Sequence, residues 1–246
     1  MKLLILSDTH GNADSLRAVW EKESDADRIL FAGDMIDFGF NPRETVDWFI
    51  EHRDILYAVL GNHDEAILKN RPAVIDRTKK PANFQELTYA ELGEKEYAFL
   101  ASLPHETTFT LDGIDYYLCH QPDELSLSDT YAEAQLPNRD LRAFFNERFG
   151  KKFPESKSPE KRIVYGHSHL QWAGAAGTGK LIINPGSLSY RFGSFESHRC
   201  ADYIVSIDGA LSFRHVDFNT SHLFARADEF SDSEAARLAR AFFRKI

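Results

Sequence analysis

Short apolar runs, each stopped by a polar segment of one recurring kind, set the plan of the chain. Leu3-Leu4-Ile5-Leu6 reads as a buried strand and runs into Ser7-Asp8-Thr9-His10-Gly11-Asn12. Asn12 to Glu23 has helical spacing, with Leu16, Val19 and Trp20 on one face. Arg28 to Phe31 is a second strand, followed by Ala32-Gly33-Asp34-Met35-Ile36-Asp37. Pro42 to His52 predicts a second helix, with proline in its first turn and Val46, Phe49 and Ile50 inward. Ile55 to Leu60 is a third strand that ends at Gly61-Asn62-His63-Asp64. This β-α-β-α-β order predicts a mostly parallel sheet.

Asn83 to Ser102 reads as helical, and Glu106–Leu111 with Ile114–Cys119 as a hairpin around Asp112-Gly113. His120 closes the second of these strands. Residues 121–161 form a polar insertion with one helix, Asn138 to Phe149, expected beside the site as a partial cap. Arg162 to Tyr165 is a strand ending in Gly166-His167-Ser168-His169. Gln171–Ala176 and Lys180–Asn184 read as a strand pair before Pro185-Gly186-Ser187. Tyr203–Ile207 and Ser212–Asp217 form a last hairpin around Asp208-Gly209. Ser231 to Ile246 is an amphipathic helix with the stripe Ala235, Leu238, Ala239, Phe242 and Ile246, expected to meet the core. Ser231 and Glu234 fit a capping box.

Composition narrows the classes. A chain of 246 residues suits one large domain, or one domain with an insertion. The net charge of -9 argues against duplex nucleic acid as a partner, yet leaves room for a small anionic substrate. The basic stretch Lys69 to Lys80 has two readings, a solvated loop or a basic lip over such a substrate. No run approaches the roughly 20 residues of a membrane span, and the first is too short for a secretory core. Cys119 and Cys200 suggest no disulfide framework, which makes a reducing cytoplasm the expected location.

The chemistry lies at the strand ends: Asp8, His10, Asp34, Asn62, His63, His120, His167 and His169. In open α/β sheets that edge is where sites form. A buried cluster of carboxylates and imidazoles needs a compensating cation. Mixed carboxylate, amide and imidazole donors suit borderline-hard ions such as Mn, Fe or Zn. Seven candidate ligands suggest two ions, roughly 3.5–4 Å apart and joined by a carboxylate. Asp34 is the natural bridge.

Asp8-Thr9-His10, Gly33-Asp34, Gly61-Asn62-His63-Asp64, His120 and Gly166-His167-Ser168-His169 follow one another at a spacing that resembles the calcineurin-like metallophosphoesterases. The likeness covers nearly the whole chain. It implies an α/β fold, a four-layer αββα sandwich of two mixed sheets with the metal site at the strand ends. It further implies that Asp8, His10 and His169 hold one divalent ion with Asp34, and that Asn62, His120 and His167 hold the second. Mn is the first candidate metal, with Fe, Zn, Ni or Mg as others. The stretches Gly33 to Pro42 and Ile183-Asn184-Pro185-Gly186-Ser187, with Arg191 after, look like the smaller bacterial and archaeal phosphodiesterase branch. Two positions depart from the wider family: Gln121 follows His120 where glycine is frequent, and Phe38 stands where protein phosphatases carry a phosphate-gripping arginine.

The activity implied is hydrolysis of phosphodiesters or nucleotide-type substrates, dinucleoside polyphosphates among them, by a water held between the two ions. His63 would protonate the leaving oxygen. Asn62 would stabilise charge on the phosphoryl group, and Asn12 and Arg191 are candidates for substrate contact. Arg191 reads equally as a surface residue. Asp37 reads either as the partner that orients His63 or as a turn residue. The competing readings are a phosphomonoesterase and a non-catalytic scaffold on the same fold, which one retromer subunit exemplifies. Oligomeric state is open, a homodimer included.

Overall fold

The computed structural model describes residues 1–121, 140–189, 200–219 and 221–243. Strands β1 (Lys2–Leu6), β2 (Arg28–Phe31) and β3 (Leu56–Ala58) lie parallel in one sheet. β9 (Cys200–Ile207) and β10 (Ala210–Asp217) extend that sheet antiparallel, giving the order β10-β9-β1-β2-β3. The second sheet has the order β4-β5-β6-β8-β7. It comprises β4 (Glu106–Leu111), β5 (Ile114–Cys119), β6 (Glu160–Val164), β7 (Gln171–Ala175) and β8 (Lys180–Pro185). β5, β6 and β8 are parallel, and both flanking strands are antiparallel.

The apolar runs explain the layering. Strands buried on both faces need no alternation. Leu3, Ile5, Leu30 and Val59 pack between the sheets against Tyr116, Leu118, Val164 and Ile183. Leu4, Leu6, Ile29 and Phe31 face outward onto α1 (Ala13–Glu23), α2 (Pro42–Glu51) and α5 (Glu94–Ser102), through Leu16, Val19, Val46, Phe49 and Leu100. On the far side, α6 (Leu141–Lys152) lays Phe145 and Phe149 on Tyr117, Ile163, Tyr165 and Ile182. The result is the expected four-layer αββα sandwich. The inserted helix is thus the outer layer of the second sheet. Of the expected cap, residues 122–139 lie outside the described residues.

Several local expectations change. The third strand covers only Leu56–Ala58 of the expected Ile55 to Leu60, and Asn62 and His63 after it open a helix, α3 (Asn62–Lys69). The helix expected over Asn83 to Ser102 is two, α4 (Phe84–Glu91) and α5, split at Leu92-Gly93, where the Glu96 carboxylate accepts the Gly93 N–H. The chain ends in α7 (Ser221–Arg226) and α8 (Ser233–Phe243). The cap of α8 is Asp232, whose carboxylate accepts the Glu234 and Ala235 N–H groups; Ser231 bonds Pro81 instead. Ala236 and Ala239 meet Phe40, Phe84 and Phe230, whereas Leu238 is 42% exposed. Of the predicted stripe, the side chains of Phe242 and Ile246 lie outside the described part.

Glu23 ties the end of α1 to the first sheet. Its buried carboxylate pairs with Lys2 at 2.8 Å and accepts from Tyr203 and Arg214, each at 2.9 Å. Burial alone would raise its pKa; the bonds from Lys2 and Tyr203 outweigh burial and hold it below the usual 4.5. A carboxyl with a depressed folded pKa stabilises fully above its unfolded value and loses that contribution as pH falls through the folded one. Glu23→Gln should therefore cost about 1–3 kcal/mol at neutral pH. In urea unfolding across pH, the gap from wild type should shrink below pH 4.5; a gap that stays constant down to pH 3 would contradict this assignment.

Candidate metal centre

Five loops meet at one edge of the sandwich because β1, β2, β3, β5 and β6 all end there. Backbone bonds zip the loops together: Asp8 N–H to Gly33 O at 2.9 Å, His10 N–H to Asp34 O at 3.0 Å, and Gly166 N–H to His120 O at 3.0 Å. Gly61 and Gly166 permit the approach. A Cβ on Gly61 would stand 1.9 Å from Asp34 Oδ1, and one on Gly166 would stand 1.9 Å from Ser7 Oγ.

The loops are strained where they carry chemistry. Asp8, His10, Asp34, His167 and His169 have φ between 48° and 67°, and Asp37 and Phe38 have 72° and 61°. Such backbone costs about 1–3 kcal/mol per non-glycine residue and persists only where the surroundings enforce it. The two other non-glycine residues described with positive φ, Asp112 and Asp208, sit in the Asp-Gly hairpin turns, where that conformation is required.

The predicted ligands are brought together. His169 Nε2 lies 3.2 Å from Asp8 Oδ1 and 3.1 Å from His10 Nε2. His10 Nε2 lies 3.8 Å from Asp34 Oδ2, and His120 Nε2 lies 3.2 Å from the same oxygen. Asn62 Oδ1 is 3.0 Å from both His120 Nε2 and His167 Nδ1. Two overlapping groups, Asp8-His10-His169 and Asp8-Asp34-His120, have the compactness of a cation site. The donors are two carboxylates, one amide oxygen and four imidazoles, a set that fits divalent ions of borderline hardness.

Electrostatics follow burial. Burial alone would raise Asp34, but the charge and hydrogen bond of His120, with His63 and His10, hold it well below the usual carboxylate range. For His120, burial works downward and Asp34 overrides it, lifting the imidazole to about 10. Burial drives His10 to about 3, and burial with the His120 charge takes His167 to about 4. Both stay neutral near pH 7, the form in which a histidine offers a lone pair.

His63 sits beside these groups. Its Nδ1 is 2.9 Å from Asp37 Oδ2. Burial opposes the charged ring, but the Asp37 bond and the Asp34 charge raise it to about 9. The Phe38 ring stands edge-on to His63 at 5.0 Å. Asn12 is buried and its Oδ1 caps α1 at Ser15, while its Nδ2 has no partner among the described residues. Arg191 lies outside the described residues. Arg71 and Arg77 of the basic stretch are occupied elsewhere. Arg71 pairs with Glu94 and lies over Tyr97, and Arg77 bonds Ala90 O and Leu92 O, as in a structural loop.

Three residues hold the centre in place without having been singled out. Asp64 takes the Asp34, Met35, Ile36 and Gly61 N–H groups at 2.9–3.2 Å. Asn184 donates to Gly166 O and Ser168 Oγ, and Ser187 Oγ donates to Asp8 O. An acidic residue three after Gly61 was a legible capping signal; Asn184 and Ser187 lie in the motif stretch Ile183 to Ser187, but what each bonds is set by tertiary contact.

A family model of the calcineurin-like phosphoesterase superfamily domain matches residues 1–203. The chain belongs to that superfamily. Among solved structures, a metallophosphoesterase from Sphaerobacter thermophilus is similar at TM-score 0.66 and 22% identity, covering 98% of this chain and 99% of its own. A hypothetical protein from Pyrococcus horikoshii OT3 gives TM-score 0.70 at 13% identity, covering 97% of each chain. The phosphoesterase Yfce from E. coli gives 0.51 at 20% identity, covering 89% of this chain and all of its own. The comparison with curated proteins found no match. Among the described residues, no helix is long and apolar enough to cross a membrane.

Asp64→Ala leaves four buried backbone donors without their acceptor and should cost about 3 kcal/mol or more. For a chain of this size that is a fall in Tm of roughly 6–12 °C, read by calorimetry. A fall under about 2 °C, well inside the ordinary effect of a surface change, would show that the clamp is dispensable.

Proposed function

We propose that this protein is a metal-dependent phosphoesterase acting on phosphodiesters or nucleotide-type substrates through two divalent cations, Mn first among the candidates. One observation carries the reading: a single oxygen, Asp34 Oδ2, faces His10 of one donor group and His120 of the other. Asp8, His10 and His169 would hold one ion with Asp34, and Asn62, His120 and His167 the second. When bound, the ions would polarise the phosphoryl oxygens and acidify an attacking water.

The remaining work falls to the chain. Asn62 shares its amide between the second group and the charge that builds on the phosphoryl oxygens. Asp37 holds His63 by Nδ1 and favours its charged form. That leaves Nε2–H to meet the leaving oxygen and protonate it as the ester bond breaks. Phe38 favours a diester over a monoester, because it gives His63 an uncharged neighbour. A diester carries one negative charge and asks less of such a wall than a dianionic monoester. The same reading takes 1–246 as one domain working in the cytoplasm, on a small anionic substrate.

The test sets bis-p-nitrophenyl phosphate beside p-nitrophenyl phosphate, using metal-stripped protein with Mn²⁺ restored. Diester cleavage should require the metal. His63→Asn should lose about 10²-fold or more in kcat while metal content stays at the wild-type level. Loss of metal in that variant would mean His63 is a ligand, and monoester preference would overturn the diester reading.

A further inference from the structure

A cleft of about 180 Å³ opens beside the metal centre. Phe38 and Phe84 line it with Ala235 and Leu238 of α8, beside Asn83 and Gln85. Whole-ligand pockets run to roughly 300–1,000 Å³, so this one suits part of a ligand, the size of a ring. Phe38 stands between it and His63 and borders both. The Phe38 ring is 5.0 Å from the His63 ring and 6.1 Å from Phe84. Asp37, which holds His63, lines the cleft as well.

The cleft is built in advance. Phe84 is fixed by Phe40 and Phe230 at 5.2 and 5.0 Å. Phe38 keeps a left-handed backbone that a bulky side chain seldom adopts, with its N–H on the Asp37 carboxylate. Leu238 leaves 42% of its surface open while its neighbours Ala236 and Ala239 reach the core. Among the described residues, no lysine or arginine lines the cleft, and the one charged residue that does is acidic. An anionic group is therefore disfavoured and a neutral planar ring is favoured, since it can meet the ring edges and the aliphatic wall together.

We propose that this cleft receives the ester's organic group on the His63 side, and that the group it takes is a neutral aromatic ring. The inference rests on the phosphoesterase reading of the metal centre, whose ions would seat the phosphoryl group next to it. Asn83 and Gln85 add amide groups for a ring with polar edges.

Calorimetric titration of Mn-loaded protein with phenylphosphonate and with methylphosphonate tests it. Wild type should bind the phenyl compound about tenfold more tightly, the effect of burying one ring face. Leu238→Glu, a change at an exposed position, should reduce that preference to about twofold by placing a charge in the wall. Methylphosphonate affinity should move much less. Metal-dependent cleavage of bis-p-nitrophenyl phosphate by the wild-type protein reports on the centre itself. Equal affinity for the two phosphonates, or a preference that survives Leu238→Glu, in protein that still cleaves the diester, overturns the cleft assignment alone. Protein that binds neither phosphonate and cleaves no ester overturns the reading of the metal centre and the cleft with it.

Discussion

Asp34 is a fully desolvated carboxylate whose two oxygens have different duties. Oδ1 accepts the His63 N–H at the start of α3, at 2.9 Å. Oδ2 faces His10 and His120, one from each donor group. Burying such a charge costs several kcal/mol unless it is paired and bonded. The left-handed backbone at Asp34 and at four of its ligand neighbours adds to that cost. The rest of the fold supplies the restraint. Parallel strands deliver the loops to one edge, two glycines let them touch, and Asp64 gathers four N–H groups from the β2 and β3 loops.

The two sheets divide the work. The first brings Asp8, His10, Asp34 and Asn62, while the second brings His120, His167 and His169. The site therefore spans the interface between them, and the apolar layer of Leu3, Ile5, Tyr116 and Val164 sets its geometry. His63 and Phe38 stand to one side, both positioned by Asp37. In the proposed mechanism that side is where the leaving oxygen departs.

Much of this was legible in sequence. The candidate ligands announce themselves because each follows a short apolar strand, with glycine close by to allow a crowded turn. Strand order announced a mostly parallel sheet, the resemblance of the motifs to a known family implied the two-sheet sandwich, and the Asp-Gly turns marked two hairpins. What escaped depends on contacts distant in sequence. Asp64 reads locally as a cap for α3, but its bonds to Asp34, Met35 and Ile36, 28 to 30 residues earlier, show in no local pattern. Asn62 starts a helix because its motif is followed by Glu65 to Lys69, a segment that periodicity left unassigned. Leu238 fits the helical stripe, yet the aromatic cluster of Phe40, Phe84 and Phe230 selects Ala236 and Ala239 for the core and leaves Leu238 at the cleft. The basic stretch read either as a solvated loop or as a lip, and composition could not show that Arg71 and Arg77 tie it to Glu94, Ala90 and Leu92 of the following helical segment.

The central claim is that Asp34 joins two cations. Anomalous diffraction from Mn-soaked crystals, recorded near the metal's absorption edge, tests it most directly. The account predicts two anomalous peaks, roughly 3.5–4 Å apart, with Asp34 Oδ2 in contact with both. One peak at full occupancy, or two peaks with Asp34 bound to only one, would contradict it.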